Sequence, residues 1–375
     1  MKKICDDKKC TGCLACLNIC PRNCITVGYN ERKELVPKIG DNCINCQACV
    51  HICPTNNNIG KYSSNECYAV YSKSNRKLSS SGGVATELAL QIISSGGSVC
   101  GAVLSDCVVK HIVTNDISKT DNMRGSKYVQ SNIGNCYREI KNLIKAGNKV
   151  LFIGTPCQVA GIKAVVGENE RLYCIDLICH GTPSPLYLEE IIKSSCWNTD
   201  NISFRNKGEF VLSADGKASK ISERYMLSFL SGLTFRESCY QCDYAQNQRV
   251  GDITLGDFWE IRNFPETEKG VSLVLINNEK GKKLFETIEK NVFYEKRTLS
   301  EAYAGNAQLN YPSVPHHNRK KFIQNIIEKK SFDDSLKHLI IRERIKNWLK
   351  KRKFVQKLLK IREKWNEISL FNSVS

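Results

Sequence analysis

The residues best suited to carry chemistry are cysteines that occur in two copies of one spacing. Both copies read CxxCxxCxxxCP, 33 residues apart, and they contain Cys10, Cys13, Cys16 and Cys20, then Cys43, Cys46, Cys49 and Cys53. Three cysteines at every third position surround one cubic 4Fe-4S cluster, and the fourth, before proline, reaches the neighbouring cluster. We therefore predict two clusters with exchanged fourth ligands, bound by Cys10, Cys13, Cys16 and Cys53 and by Cys43, Cys46, Cys49 and Cys20.

Zinc is the alternative occupant, but its ligands usually come as separated CxxC or CxxH pairs, which triplets followed by Cys-Pro fit poorly. Between the copies, residues 24–27 and 35–39 flank a polar turn and predict a short hairpin over the clusters. Residues 1–60 resemble the bacterial two-cluster ferredoxins, which implies an α+β ferredoxin-like module. Cys5 and Cys24 lie outside the spacing and are interpreted as buried free thiols.

Composition limits the class of protein and its compartment. The chain has 375 residues and 20 cysteines. It contains no apolar run long enough for a membrane span, and its first residues lack the apolar core of a signal peptide. These features predict a cytoplasmic protein. Because the cytoplasm keeps thiols reduced, we expect the cysteines to serve metal binding and redox chemistry rather than disulfides.

The net charge of +17 raises the question of a nucleic-acid partner, but the excess is concentrated at one end. Residues 319–375 contain 17 Lys and Arg against six acidic residues, and no recognition motif accompanies them. Apolar positions between Ser335 and Leu359 predict a basic amphipathic helix or helix pair. We expect no nucleic acid; the open alternatives are packing on the body, a partner protein, or peripheral contact with the inner face of a membrane.

After a polar segment at residues 61–77, interpreted as a linker, strand-like and helix-like runs alternate. Strands are predicted at 99–104, 108–113, 149–153 and 172–178, with helices at 87–93, 137–146 and 183–195. This order is typical of an α/β domain. The Ser/Gly turn at Ser79 to Gly83 feeds a helix, and such a turn either binds a phosphate or simply caps the helix.

Six motifs in this part of the chain form a set. They are SSGGVAT (residues 80–86), RGSKY (124–128), GTPCQVAG (154–161), DLICHGTPSP (176–185), CxxCD (239–243) and GDITLGDFW (251–259). Together they resemble the coenzyme F420 hydrogenase/dehydrogenase beta-subunit family over residues 62–315. The resemblance implies a flavoprotein in which FAD contacts Ser81, Gly82, Gly83, Ser126, Lys127 and Tyr128, with a further 4Fe-4S cluster beside it.

For that further cluster we nominate Cys157, Cys179, Cys239 and Cys242. The first two follow predicted strands, at the edge where α/β folds hold cofactors, and the last two form a CxxC pair. The alternative is that Cys157 and Cys179 are packed thiols and that the pair is a redox or zinc site. His180 and Asp257 assist proton movement or only hold their loops, and Lys127 either balances a reduced flavin or is a surface lysine.

The sequence thus predicts four segments: a ferredoxin domain (1–60), a linker (61–77), an α/β FAD and iron-sulfur domain (78–318) and a basic helical tail (319–375). The leading hypothesis is an enzyme, an iron-sulfur flavin-dependent oxidoreductase that exchanges hydride with coenzyme F420 or another small conjugated substrate. It would share electrons with a protein donor or acceptor. The alternatives are an electron-transfer subunit without its own substrate, and a zinc-stabilised interaction protein.

Overall fold

The body of the protein is built on one large sheet whose strands come from distant parts of the sequence. A computed structural model describes residues 3–197, 201–206 and 208–350. The strands of this part of the chain are β1 (Ile25–Tyr29), β2 (Leu35–Ile39), β3 (Tyr62–Ser63), β4 (Glu66–Ser72), β5 (Ser98–Ser105), β6 (Val108–Thr114), β7 (Val150–Gly154), β8 (Leu172–Leu177), β9 (Ile202–Asn206), β10 (Glu209–Ala214), β11 (Gln248–Arg249), β12 (Ile253–Asp257), β13 (Ser272–Ile276) and β14 (Val292–Arg297).

The α-helices of the same residues flank the sheet and connect its strands. They are α1 (Ala15–Ile19), α2 (Ala48–His51), α3 (Val84–Ser94), α4 (Cys136–Lys145), α5 (Pro156–Val166), α6 (Pro185–Ser194), α7 (Lys220–Leu230), α8 (Glu279–Glu286), α9 (Leu299–Gly305), α10 (Arg319–Ile327), α11 (Phe332–Leu336) and α12 (Ile341–Lys350).

The large sheet has the strand order β14-β4-β13-β12-β8-β7-β5-β6. Its four central strands, β12, β8, β7 and β5, are parallel, whereas the outer strands pair antiparallel. Because helices cover both faces of the centre, the parallel strands are short apolar runs such as Val150–Gly154. The carboxyl ends of these strands meet at one edge, which is where α/β sheets bind ligands.

The ferredoxin-like module consists of α1, α2 and the antiparallel hairpin of β1 and β2, as the sequence predicts. It packs on α4 and α5, and Leu14, Ala15 and Leu35 join the core of the body there. Hydrogen bonds also join the module to the body across this contact, which we call the seam. Asn18 Nδ2 donates to Gly134 O at 2.9 Å, and Tyr187 Oη donates to Arg32 O at 3.2 Å. The module is therefore an integral layer of the molecule.

Two predicted boundaries differ from the structure. Residues 61–77 are not only a linker, because β4 at Glu66–Ser72 lies inside the large sheet between β13 and β14. Residues 319–340 are not a separate tail, because Phe322, Ile326 and Phe332 are buried in one core with α6 and α7. This core favours the packing alternative for that segment, and residues 351–375 lie outside the described part of the chain.

Helix α12 carries the amphipathic pattern predicted for the basic end as far as residue 350. Ile345 and Leu349 on this helix are exposed. None of the helices in the described ranges has the length and apolar character needed to span a bilayer.

Candidate functional site

The structure brings the cysteines of the two ferredoxin motifs into two groups. Cys53 of the second motif lies beside the Cys10, Cys13 and Cys16 thiols of the first. In the other group, a small cavity is lined by Cys20, Cys43, Cys46 and Cys49. These are the crossed sets that the spacing predicts, although iron binding by the individual thiols remains a prediction.

Each group contains a fifth cysteine that the spacing did not include. Cys24 Sγ lies 3.3 Å from Cys20 Sγ, and the Cys5 thiol hydrogen-bonds with Cys10 and Cys53. That hydrogen bond lowers the pKa of both Cys10 and Cys53 to about 6. Cys5 and Cys24 are half-buried neighbours of predicted ligands, not the buried free thiols expected from the sequence.

A cavity of about 380 Å³ opens at the carboxyl edge of the parallel strands. This volume lies within the usual range of small-molecule sites, about 300–1,000 Å³. Its walls come from the loops after β7, β8 and β12, the first turn of α3, and the segment from Met123 to Ser131. The cavity also reaches Thr11 of the ferredoxin module, so it lies between the module and the sheet.

All four cysteines nominated for a third cluster line this cavity. Cys179 lies close to the other three thiols, and Cys157 lies close to Cys239 and Cys242. Local sequence explains the position of Cys157: Thr155 and Gln158 form a capping box around the start of α5, which follows directly from β7. We refer to Cys157, Cys179, Cys239 and Cys242 as the body tetrad.

Burial keeps the thiols of the body tetrad protonated when no metal is bound. Burial raises the pKa of Cys157 to about 12 and that of Cys242 to about 11, and it raises the pKa of Cys179 and Cys239 as well. Four adjacent thiols in such surroundings resist ionisation, whereas a coordinated metal deprotonates a thiol outright. The fit to an iron-sulfur cluster comes from the donor set, four thiols that line one cavity, and not from their pKa values.

Five of the six residues predicted to contact FAD line the cavity: Ser81, Gly83, Ser126, Lys127 and Tyr128. Gly82 instead faces the sheet, where a Cβ would lie 2.2 Å from Val70 O. The two predicted segments are joined, because Ser126 N donates to Ser80 Oγ at 2.8 Å. Lys127 is half-buried, so it is not a surface lysine, and its amine donates to three backbone carbonyls of the preceding turn, those of Asn122, Met123 and Arg124.

The first turn of α3 offers a place for an anion. Its N-cap, Gly83, adopts a φ of 85° and provides no side-chain cap, and Val84, Ala85 and Thr86 line the cavity. Arg124 lines the same cavity; its Nε is paired with Asp121 at 2.7 Å and its Nη2 donates to Asn75 Oδ1 at 2.8 Å. Its buried Nη1 has no hydrogen-bond partner among the described residues. Amides at a helix start and an unpaired guanidinium nitrogen are the chemistry that a phosphate needs.

His111 is a second cavity residue that the sequence reasoning missed. Its Nε2 lies 3.1 Å from Ile153 O and must donate, because a carbonyl only accepts. Burial lowers the pKa of His111 to about 4, so the ring is neutral and Nδ1 is an acceptor that no group in the described part of the chain reaches. Together with Arg124, this orphaned acceptor fits a ligand that carries both an anionic group and hydrogen-bond donors, as FAD does.

Other motif residues prove to have structural partners. Asp257 is paired with Arg205 at 2.9 Å, so its carboxylate is not a free base, while His180 lines the cavity near it. Asp176 and Arg249 form a fully buried ion pair at 3.0 Å, and the same carboxylate accepts hydrogen bonds from Val250 N and Gly251 N. The acidic residues of these motifs therefore hold the loops of the cavity in place.

The ferredoxin module and the body tetrad meet at one point of the seam. The Cys13 thiol lies near the Cys157 thiol, and Tyr244 is close to both.

In residues 3–197, 201–206 and 208–350, no three His, Cys, Asp or Glu side chains are arranged to hold a single metal ion. A single ion needs ligands gathered around one point, whereas a cube takes each thiolate at a different iron atom.

Comparison with known proteins agrees with this geometry. Residues 9–57 match the 4Fe-4S dicluster domain, and residues 147–302 match the C-terminal domain of the coenzyme F420 hydrogenase/dehydrogenase beta subunit. Over these residues the matches agree with the resemblance that the cysteine spacing and the motifs indicated: a 4Fe-4S dicluster domain is followed by a domain like the C-terminal one of that beta-subunit family.

Among curated proteins, the chain is similar to the F420-dependent formate dehydrogenase subunit beta of Methanocaldococcus jannaschii, with 27% identity over 166 residues. The match spans 42% of this chain and 41% of that relative, so it covers less than half of either protein. Among solved structures, a chain of the F420-reducing [NiFe] hydrogenase complex from Methanosarcina barkeri aligns with a TM-score of 0.46 and 18% identity, over 74% of this chain and 91% of its own.

Proposed function

We propose that this chain is an iron-sulfur flavoprotein oxidoreductase. In this account, the eight motif cysteines bind two 4Fe-4S clusters, the body tetrad binds a third, and the cavity beside it binds FAD. The observation that carries the proposal is that the body tetrad shares one cavity with the uncapped start of α3, while Cys157 lies next to Cys13 of the ferredoxin module.

Different residues of the cavity would bind different parts of the cofactor. Arg124 and the first-turn amides of α3 would hold the anionic part of the cofactor, and His111 Nδ1 would accept a hydrogen bond from it. When bound, FAD supplies the conversion between single-electron transfer and hydride transfer. The body tetrad would fix its cluster in the wall of the same cavity, so that the cluster and the cofactor are neighbours.

The substrate belongs to the proposal as a class only. The relative from Methanocaldococcus jannaschii is named as F420-dependent, which makes the deazaflavin coenzyme the first candidate for the organic partner. Another conjugated molecule that takes up a hydride is the second candidate, since a fold does not fix its substrate.

An electron-transfer subunit without its own substrate remains a second candidate function. The observation in its favour is that the far end of the ferredoxin module is open, because Cys46 and the neighbouring Ile44 are exposed. A redox partner protein could exchange electrons there, either as a separate donor or acceptor or as another part of a larger enzyme. Turnover of an organic acceptor by the isolated chain supports the enzyme, whereas activity that requires a partner supports the electron-transfer role.

The test is purification of the full chain under anaerobic conditions, followed by metal, sulfide and flavin analysis. We expect a brown protein with about twelve iron atoms and about twelve acid-labile sulfides per chain, together with releasable FAD. An iron content near eight atoms per chain would mean that the third cluster is absent. A colourless protein that contains zinc and releases no flavin would overturn the proposal as a whole.

A further inference from the structure

Arg236 is a buried arginine at the seam between the ferredoxin module and the body. Only 3% of the residue is exposed, and it lines the cavity three positions before Cys239. Its Nε donates to Cys10 O at 3.0 Å, and its Nη1 donates to Leu35 O at 3.0 Å. The same Nη1 donates to Gln130 Oε1 at 2.7 Å. The guanidinium is thus held in one position by both parts of the molecule.

The backbone of the ferredoxin module leaves room for this arginine at Gly12. A Cβ at this position would lie 2.6 Å from Arg236 Nη1 and 2.4 Å from Gln130 Nε2. Gly12 also has a φ of 66°, a conformation that favours glycine. The Cys10-to-Cys13 loop therefore approaches the guanidinium closely because one residue in it has no side chain.

The charge of Arg236 forms no direct ion pair among the described residues, although against the effect of burial it lowers the pKa of one buried acid, Glu34. No carboxylate in this part of the chain lies within ion-pairing distance of it, and its buried Nη2 has no hydrogen-bond partner. Glu34 is paired with Arg32 at 3.0 Å, so its single negative charge is shared between two arginines. A buried cation without compensation is costly, so an uncompensated Arg236 would destabilise the fold.

Besides Glu34, the groups around Arg236 that could supply negative charge are predicted cluster ligands. The guanidinium lowers the pKa of Cys10 on the module side, after the larger effect of the Cys5 hydrogen bond. On the body side it acts in the same direction on Cys157 and Cys239, against the larger effect of burial. A 4Fe-4S cube with four thiolates is negatively charged, so a cluster on each side would compensate the cation.

We propose that Arg236 is the shared counter-cation of two clusters, the one bound through Cys10 and the one in the body tetrad, and that it raises the reduction potential of both. One electron adds one negative charge to a cluster, and a fixed positive charge nearby in a medium of low polarity favours that reduced state. Arg236 is a positioning residue in this account: it makes the junction between module and body a favourable place for the electron. The part concerning the body tetrad rests on the proposed function, whereas the part concerning Cys10 rests on the dicluster domain alone.

The test is an EPR-monitored redox titration of the anaerobically purified full chain, with dithionite as the reductant. In Arg236→Gln we expect the one-electron reduction equilibrium of these two clusters to become at least about tenfold less favourable, a shift of about 59 mV to lower potential. The cluster of Cys43, Cys46, Cys49 and Cys20 should keep its potential, since it lies on the far side of the module. Arg236→Lys, which retains the charge but not the fork of hydrogen bonds, should stay near the wild-type value.

The control is Arg319→Gln, because Arg319 is also buried and donates to a backbone carbonyl, but its charge is paired with Glu237. This variant should lose stability without a shift in any potential. Unchanged potentials in an Arg236→Gln protein that retains all its iron would overturn the proposal, as would an equal shift in Arg236→Lys. If Arg236→Gln loses one of the two clusters, the potential of the remaining one in that variant decides. If the body cluster does not exist, the potential of the Cys10 cluster must still shift in Arg236→Gln. Failure of the proposed function is thereby distinguished from failure of the proposal about Arg236.

Discussion

The Cys13 thiol of the ferredoxin module lies beside the Cys157 thiol at the start of α5 in the body. Burial raises the pKa of Cys13 to about 12, and negative charge on Cys53 or Cys157 would raise it further. A predicted ligand of the first cluster and a predicted ligand of the third therefore lie near each other. This proximity makes the two-domain chain a candidate for a continuous electron path rather than two independent redox modules.

The seam beside Cys13 should tolerate no added side chain at Gly161 of α5. A Cβ there would lie 2.9 Å from Tyr137 Oη and 3.2 Å from Cys13 Cβ, and both residues are buried. We expect Gly161→Val to lower the free energy of unfolding by about 1–3 kcal/mol, the usual cost of overpacking. Chemical denaturation of the holoprotein measures the loss.

The matched control for Gly161 is Gly60→Val, since no atom lies within 4 Å of a Cβ built at Gly60. This variant should remain within about 0.5 kcal/mol of the wild type, as surface substitutions usually do. Equal stability of the two variants would show that the module does not pack on α5 in the described way.

Arg124 should contribute to retention of the flavin. Its unpaired Nη1 lines the cavity near the start of α3, where we place the anionic part of the cofactor. Removal of a charge-assisted contact costs about 1.5–3 kcal/mol, so Arg124→Gln should weaken FAD binding by roughly tenfold to a hundredfold. Fluorescence titration of the flavin-depleted protein measures the affinity.

Lys119→Gln is the control for Arg124, because Lys119 is an exposed cation on the 3₁₀ helix Ile117–Met123, which ends directly before Arg124. FAD affinity should be unchanged in this variant. If Arg124→Gln binds FAD as tightly as Lys119→Gln does, Arg124 is not a ligand of the cofactor.

His111 should make stability depend on pH. Burial lowers its pKa from 6.5 to about 4 in the folded chain, so the unfolded chain takes up a proton that the folded chain does not. The contribution of His111 to the free energy of unfolding is therefore fully present above pH 6.5. It is lost as the pH falls from 6.5 towards 4, by about 1.4 kcal/mol per pH unit. Denaturation of the wild type and of His111→Gln at pH 7, 6 and 5 should show this difference in slope.

His51→Gln provides the comparison, because His51 is exposed in the ferredoxin module. It should retain the wild-type slope, and acid sensitivity of the clusters affects all three proteins alike. Identical slopes for the wild type and His111→Gln would contradict a buried neutral imidazole at this position.

The sequence allowed prediction of the features that depend on local spacing. The crossed cysteine groups, the hairpin and the strands from β5 to β8 follow from patterns that extend over a few residues. The body tetrad needed the family resemblance, since its members come from three separate segments that only the fold brings together. Strand β4 was misread as linker because its partners, β13 and β14, lie about 200 residues further along the chain.

The residues that the sequence did not reveal are single polar side chains at cavity walls. His111 lies within strand β6 directly after Lys110, and Arg236 precedes the CxxC pair; neither belongs to a motif of its own. The signal in each case is a lone histidine or arginine whose burial and missing partners become visible only in three dimensions. Arg124 did belong to a quoted motif, and its charge next to a Gly-Ser turn is the signal that could have identified it.

The most direct test of the electron path is the iron content of Cys157→Ser beside that of Cys174→Ser. Cys174 is a buried thiol of β8 outside the cavity lining, so its variant should retain about twelve iron atoms, the number expected for three cubes. Cys157→Ser should fall to about eight and still show the EPR signals of the dicluster domain. An iron content of Cys157→Ser equal to that of Cys174→Ser would contradict the presence of a cluster between the ferredoxin module and the cavity.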